Sequence, residues 1–297
     1  MSPKTVAIIG AGRVGSAFGF LLNRAGYTVT GVAARTLASA EKAAAFMGAG
    51  IPTANVVQAA SQADIVFITT PDRVIKDVCN TIAAGKAVRP GSLVVHASGA
   101  HTLDLLDAAT GCGAKRAVLH PLQSLASREE GVRNLPGSYF RIEADPGALE
   151  SARGVVNALG GIELAMPKWH SDPESAALYH AGAVVVSNFF VALIDYGLKF
   201  YETLGADKKT ALKAVLPLIK GTLHNVETLG IPEALTGPIM RGDVETVRQH
   251  LEAMRKRTPH LEGLYRDLAQ QTVSVAMEKG TITKETAAEL LDLVQKQ

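Results

Sequence analysis

Cysteine is nearly missing from this chain: among 297 residues only Cys79 and Cys112 occur, with no C-x-x-C pair. That argues against a disulfide framework or a structural zinc site and fits a reducing compartment, so the cytoplasm is expected. An excess of one charge is missing too. The 30 Lys and Arg oppose 28 Asp and Glu, leaving a formal charge of +2 with the charges scattered along the chain. Without a basic stripe or an acidic block, no nucleic-acid partner is expected. The histidines lack metal-ligand spacing such as H-E-x-x-H, so no metal is implied. Neither a fixed-period repeat nor a low-complexity segment interrupts the chain.

Long uninterrupted apolar runs are scarce as well. Lys4 followed by Val6-Ala7-Ile8-Ile9 superficially resembles the start of a signal sequence, but Arg13 and the glycines at 10, 12, 15 and 19 break it up. A signal peptide needs roughly 7–15 continuous apolar residues and a cleavage site. Ala176 to Ile194 is long enough to span a bilayer, yet it carries His180, Ser187 and Asn188 and is bounded by Glu174 and Asp195. A buried helix is expected there rather than a membrane segment.

What is present is core material, 47% hydrophobic residues in a length that favours two domains. Short β-branched runs alternate with helical stretches in the first half, the pattern of a parallel sheet wrapped by helices. Strands are expected at Val6–Ile9, Thr28–Ala33, Ile65–Thr69, Leu93–His96, Arg116–Leu119, Phe140–Glu143 and Ile162–Ala165, with Asp145-Pro146 opening a helix as N-cap and N1. After Pro167 the strand signal stops. A helix of roughly 30 residues, about 45 Å long, is expected from Asp172-Pro173-Glu174 to Leu204. Further helices are expected at Lys208–Leu229, Val244–Lys256, Pro259–Lys279 behind Thr258 and Lys284–Gln295 behind Thr283. The domains are therefore expected at 1–168, a doubly wound α/β sheet, and 169–297, all-α.

Gly10-Ala11-Gly12-Arg13-Val14-Gly15 follows the first strand and opens a helix, the context that gives a G-x-G-x-x-G match its meaning. Gly10 permits the tight turn, Gly12 lets a pyrophosphate approach the main chain, and Gly15 allows helix and strand to pack closely. An NAD-binding protein usually places a carboxylate at the end of the second strand, whereas here the chain reads Ala33-Ala34-Arg35-Thr36 with no acid until Glu41. Arg35 can meet a 2′-phosphate and Thr36 adds a hydroxyl, so NADP is favoured; the plainer alternative is an Arg35 that snorkels on the surface. Thr70-Pro71 and Ser98-Gly99, at two later strand ends, should line the same crevice, unless they are ordinary strand-to-helix turns with Asp72 as an N-cap.

Hydride transfer requires a proton donor and a substrate anchor. His120 ends a strand and is followed by Pro121, so its side chain is expected near the cofactor's reactive end, unless it is a strand-terminal histidine satisfied by backbone. His120 and His180 compete as proton donor, with Asn188 and Arg241 as orienting groups. His180, Ser187 and Asn188 fall on one side of the long helix within about 100°, either as buried groups paired inside a bundle or as a substrate-binding face. Tyr179 points about 100° away from His180. Arg241, in the turn-rich stretch Leu235–Asp243, could clamp a carboxylate or simply pair with Asp243.

With Gly10–Gly15, His96-Ala97-Ser98-Gly99, His120–Ser124, Tyr179-His180-Ala181 through Asn188, and Leu235–Asp243 together, the chain resembles Rossmann-type oxidoreductases whose C-terminal half is a helical domain of unknown function. These are related to the 6-phosphogluconate dehydrogenase C-terminal-like proteins. The resemblance covers nearly the whole chain. It implies a Rossmann-type sheet followed by an all-α domain, a small-molecule substrate, and a homodimer formed through the helical domain. Prephenate dehydrogenases carry a His-Pro segment that contributes to catalysis, which His120-Pro121 matches. Ketopantoate reductases carry Lys, Asn, Asn at four-residue spacing where this chain has His180, Val184 and Asn188, a departure that weakens transfer of that assignment. The expectation is an NADP-dependent oxidoreductase for a small carbonyl, hydroxy-acid or imine substrate, with a non-catalytic NADP-binding sensor or scaffold as the alternative.

Overall fold

The expected β-branched runs form strands in the computed structural model, which describes residues 4–295. The first part of the chain runs β1 (Thr5–Ile9), α1 (Arg13–Arg24), β2 (Thr28–Ala33), α2 (Leu37–Met47), β3 (Ile51–Thr53), α3 (Val56–Ala60) and β4 (Ile65–Ile68). It continues through α4 (Ile75–Ala84), β5 (Leu93–His96), α5 (Asp107–Thr110), β6 (Lys115–Pro121), α6 (Arg128–Asn134), β7 (Tyr139–Ala144), α7 (Leu149–Ala158) and β8 (Ile162–Glu163). These strands make one sheet in the order β3-β2-β1-β4-β5-β6-β7-β8. Neighbouring side chains of β1 serve opposite faces: Val6 and Ile8 pack with Phe18, Phe67 and Phe140, whereas Ala7 and Ile9 pack with Val66, Ile75 and Val94. Each large apolar side chain buried this way contributes about 1.5–3 kcal/mol. Covering both faces explains why the strands read as continuous apolar runs rather than alternating ones.

Three local expectations need correction. β3 was not anticipated, because Ile51-Pro52-Thr53 is short and contains proline; it lies at the sheet edge, where a missing N–H is tolerated. β7 runs antiparallel to β6, with His120 opposite Arg141, whereas a parallel sheet was expected. The segment after Pro121 turns back at the same end of the sheet, where Leu122 N donates to Tyr139 O at 2.8 Å. Asp145 does not cap a helix: its carboxylate accepts from Arg116 main-chain N and Nη2, both at 2.8 Å, and α7 begins only at Leu149.

The chain divides into two compact units, the first ending at Ser187 and the second beginning at Asn188. The first unit thus takes in residues beyond the expected boundary at 168/169, including the N-terminal half of the long helix α8 (Pro173–Thr203). The reason is local packing: Trp169, Ser171 and Tyr179 all contact β7 residues of the sheet. Asp172 caps the helix by accepting from Ser175 N at 2.7 Å. The second unit comprises the rest of α8 with α9 (Lys208–Leu229), α10 (Val244–Arg257), α11 (Glu262–Lys279) and α12 (Lys284–Gln295). Its core gathers Val247, Leu251, Val273, Ala276 and Leu290.

The expectation that Ala176–Ile194 is a buried helix fails for the single chain. Leu178, Val186 and Val191 are 75%, 74% and 68% exposed. Apolar residues occur all round this helix, and Ala176 and Leu198 are among the few that the chain itself covers. By length and composition α8 is apolar enough to cross a membrane.

Candidate active site

β1 lies between β2 and β4, so the connections leaving β1 and β4 open a crevice at the carboxyl ends of these strands, where ligands of such sheets bind. Here the crevice has a volume of about 690 Å³ and is lined by Gly10, Gly12, Arg35, Thr70 and Pro71 of the expected residues, and also by Ser39, Arg73 and Arg128. The three motif glycines have different reasons. Gly10 has φ +89°, and a Cβ there would sit 2.5 Å from Thr70 N. A Cβ on Gly15 would strike Thr69 Oγ1 at 2.3 Å. Gly12 needs neither excuse: its φ is −80°, and the nearest atom to a Cβ is Gly10 O at 3.8 Å. The bare main chain at Gly12 faces the crevice, and the N–H groups of Arg13, Val14 and Gly15 are the ones that the first turn of α1 leaves without helical partners. Arg35, Arg73 and Arg128 form no ion pair among the described residues, and no carboxylate lines the crevice. Buried Thr70 Oγ1 has no hydrogen-bond partner among the described residues. Such a lining fits a phosphate-rich dinucleotide. Thr36 contributes less than expected, because its hydroxyl caps α2 by accepting from Ser39 N at 3.2 Å and donates to Ser39 Oγ.

β6 lies three strands from β1, about 14 Å along the sheet at 4.7–4.9 Å per strand. At its carboxyl end a histidine cluster is built from several directions. The His120 ring stands edge-on to Tyr179, with Nδ1 2.8 Å from the phenol oxygen, and its centroid lies 6.4 Å from that of His180. Gly99 gives the two imidazoles room: a Cβ there would meet His120 Nε2 at 2.7 Å and His180 Cδ2 at 2.8 Å. The loop carrying Gly99 is fixed from below. Fully buried His96 pairs its Nε2 with Thr102 O at 2.8 Å, and Ser98 N donates to its Nδ1 at 3.1 Å. Ser98 Oγ donates to Asp72 at 2.9 Å, so Ser98 and Asp72 tie two loops together.

Arg141, opposite His120 on β7, is completely buried. Its Nη2 donates to His101 O at 2.6 Å and Ser98 O at 3.2 Å, and its guanidinium lies 4.7 Å over Trp169 and 5.4 Å over Tyr179. Its Nη1 is 3.5 Å from Glu143, whose other oxygen accepts from Ser171. Arg141 Nε and Nη1, Glu143 Oε2 and Trp169 Nε1 have no hydrogen-bond partner among the described residues. Burial first, then the Arg141 charge and the neighbouring His180 and His96, push His120 down to about 3. Burial likewise lowers His96 to about 4. At neutral pH both are uncharged imidazoles.

The structure therefore brings together His120, His180 and Gly99, and separately Gly10, Gly12, Arg35, Thr70 and Pro71. Ser187 is exposed on α8, and its side chain forms no hydrogen bond among the described residues. Asn188 and Arg241 are exposed in the second unit, where Asp243 caps α10. Sequence reasoning missed Arg141, Glu143, Trp169 and Tyr179, and overlooked Arg73 and Arg128 in the crevice. The one available signal was a charged Arg141 and Glu143 pair alternating with Phe140 and Ile142, which reads as a solvent-facing strand.

Residues 2–121 match a Rossmann-like domain, and residues 138–272 match DUF2520, a domain of unknown function. A search of curated protein sequences gives no match. Among solved structures the chain is similar to BF3122 from Bacteroides fragilis, provisionally named an NADP oxidoreductase, with TM-score 0.70 and 21% identity over 92% of this chain and 99% of that one. It is also similar to TM1727 from Thermotoga maritima, with TM-score 0.65 and 25% identity over 93% and 98%. A reductive aminase from Aspergillus terreus, solved with NADPH and ethyl-5-oxohexanoate, gives TM-score 0.58 and 17% identity over 99% and 93%. The expected architecture, a Rossmann-type sheet followed by a helical domain, is thus the one found.

Proposed function

We propose that this chain, a Rossmann-like domain followed by a DUF2520 domain, is an NADP-dependent oxidoreductase acting on a small carbonyl, hydroxy-acid or imine substrate. The observation that carries this reading is the crevice around Gly12: bare main chain, three arginines without an ion pair among the described residues, and no carboxylate in the lining. Gly12 and the start of α1 would hold the pyrophosphate, and Arg35, helped by Ser39, would take the 2′-phosphate. The nicotinamide supplies hydride chemistry when bound. The chain's own residues would orient the substrate and manage its proton, a role assigned to His120 and His180, whose rings meet at the Gly99 loop. Oxidoreductases among the structural neighbours support the same reading.

A homodimer through the helical domain is also proposed, because a second copy would cover the exposed apolar residues of α8. Both cysteines are free thiols, which suits the cytoplasm. The test is a thermal-shift comparison of NADP with NAD, followed by NADPH oxidation against a panel of 2-oxo acids, ketones and cyclic imines. Stabilisation by NADP with turnover of one class is expected. Stabilisation without any turnover would leave a nucleotide-binding sensor, and no stabilisation by either dinucleotide would refute the reading.

A further inference from the structure

The His120 ring offers two nitrogens with different surroundings. Nδ1 is 2.8 Å from the Tyr179 hydroxyl, and no other hydrogen bond to that ring or that hydroxyl occurs among the described residues. Nε2 lies on the Gly99 side next to His180. Unlike Arg141 Nε and Nη1, it is not among the polar atoms sealed from solvent without a partner, so it remains open to a ligand. Which nitrogen carries the proton decides whether His120 presents a donor or an acceptor to that ligand.

Resting on the oxidoreductase reading above, we propose that Tyr179 is a positioning residue that holds His120 as the Nε2–H tautomer. The site thereby selects a neutral carbonyl oxygen, a ketone or aldehyde, over a preformed cationic iminium. A phenol is a stronger acid than a neutral imidazole N–H, and an imidazole nitrogen is a stronger base than a phenol oxygen. The shared hydrogen bond therefore runs from the Tyr179 O–H to Nδ1, leaving the proton of the ring on Nε2. Burial pushes the Tyr179 phenol up to about 12, so it keeps its proton.

The surrounding charges point the same way. Arg141 of β7 presents its guanidinium against the Tyr179 ring, and His180 of α8 and His96 of β5 add no negative charge. Glu143 of β7 is turned to Arg141 and Ser171. Asp72 is turned to Ser98 and lies 3.9 Å from His101. No carboxylate contacts His120 among the described residues, and Glu143 is already engaged by Arg141, so a cationic iminium at the His120 ring would find no counter-ion there. A carbonyl oxygen instead gains a hydrogen bond that strengthens as negative charge develops on it. Reduction adds a hydride, from the reduced nicotinamide of the proposed cofactor, to the carbonyl carbon. One proton, ultimately from water, goes to the oxygen; Nε2–H donates a hydrogen bond to that oxygen and is not consumed.

Long-range ¹H–¹⁵N NMR on protein labelled in its histidine rings reads the tautomer without cofactor or substrate, with His120 assigned by its loss in His120→Gln. The expected result is a neutral Nε2–H ring from pH 5 to 8, and a mixture of tautomers in Tyr179→Phe. In the kinetic arm, a cyclic ketone should be reduced at least about ten-fold more efficiently than the matching N-methyl iminium. Tyr179→Phe should lower kcat for the ketone about ten-fold at nearly constant KM, the size expected from one misplaced neutral hydrogen bond. An Nδ1–H ring or an imidazolium at neutral pH overturns the role of Tyr179. NADPH oxidation that favours the iminium overturns the selection while leaving the oxidoreductase reading intact. No turnover of either class overturns the selection together with that reading, and the NMR arm then decides the tautomer alone.

Discussion

Replacing each motif glycine by alanine should give three different failures, because the same added methyl meets three different surroundings. At Gly10 it adds left-handed backbone strain of about 1–2 kcal/mol and an overlap 2.5 Å from a main-chain nitrogen that cannot rotate aside, so a loss of about 3 kcal/mol or more is expected. At Gly15 the methyl displaces Thr69 Oγ1, which donates to Gly10 O at 2.9 Å, and also crowds the Gly10 main-chain oxygen at 2.8 Å, so about 2 kcal/mol or more should be lost. At Gly12 nothing in the protein is struck, and stability should stay within about 0.5 kcal/mol. The cost there falls on the ligand. Charge-assisted hydrogen bonds are worth about 1.5–3 kcal/mol each, so holding a phosphate away from the α1 N–H groups should weaken NADP about 10- to 100-fold. Urea unfolding of the three variants without ligand, alongside calorimetric titration of Gly12→Ala with NADP, measures both halves. A Gly12→Ala protein that unfolds like Gly10→Ala, or that keeps full NADP affinity, would refute the reasoning.

Arg141→Met should cost about 3–5 kcal/mol, because it leaves the buried Glu143 carboxylate without its cation, and adding Glu143→Gln should recover part of that loss in urea titrations. No recovery would show that Arg141 acts through its Trp169 and Tyr179 contacts instead. Stability should also fall with acid through His96. Its folded value near 4 lies below the ordinary 6.5, so the unfolded chain binds a proton that the folded chain refuses. The contribution is complete above about pH 6.5 and is lost as pH falls towards 4, amounting to about 2 kcal/mol at pH 5. His96→Gln should flatten that part of the stability profile, and an unchanged profile would contradict the burial argument. Val186→Glu, on the exposed face of α8, should convert a dimer to a monomer in light scattering; an unaltered mass would remove this face from the interface.

The parts of this molecule that were legible in the sequence are those with a local cause. Gly10, Gly12 and Gly15 sit between an apolar run and a helix, and each can be interpreted from its own turn. Likewise His120-Pro121 marks a strand end without knowledge of its partners. What stayed hidden depends on pairing across distance. Arg141 and Glu143 alternate with apolar neighbours and so resemble a solvated strand; only the antiparallel return of β7 puts them under the Gly99 loop. The Cβ of Tyr179 points away from that of His180 along the helix, yet the long phenol approaches the His120 ring from its Nδ1 side, opposite Nε2. Asp145 looked like a helix cap because it precedes proline, and a guanidinium 29 positions earlier claimed it instead. The apolar composition of α8 implies burial, but composition cannot say whether the covering surface belongs to the same chain.

Isothermal titration of the intact protein with NADP and NAD, repeated on Arg35→Ala, addresses the nucleotide crevice most directly. Saturable NADP binding at least about ten-fold tighter than NAD is expected, with the preference lost in Arg35→Ala because a bidentate arginine-phosphate contact is gone. Flat titrations with both dinucleotides, or a preference for NADP that survives Arg35→Ala, would contradict it.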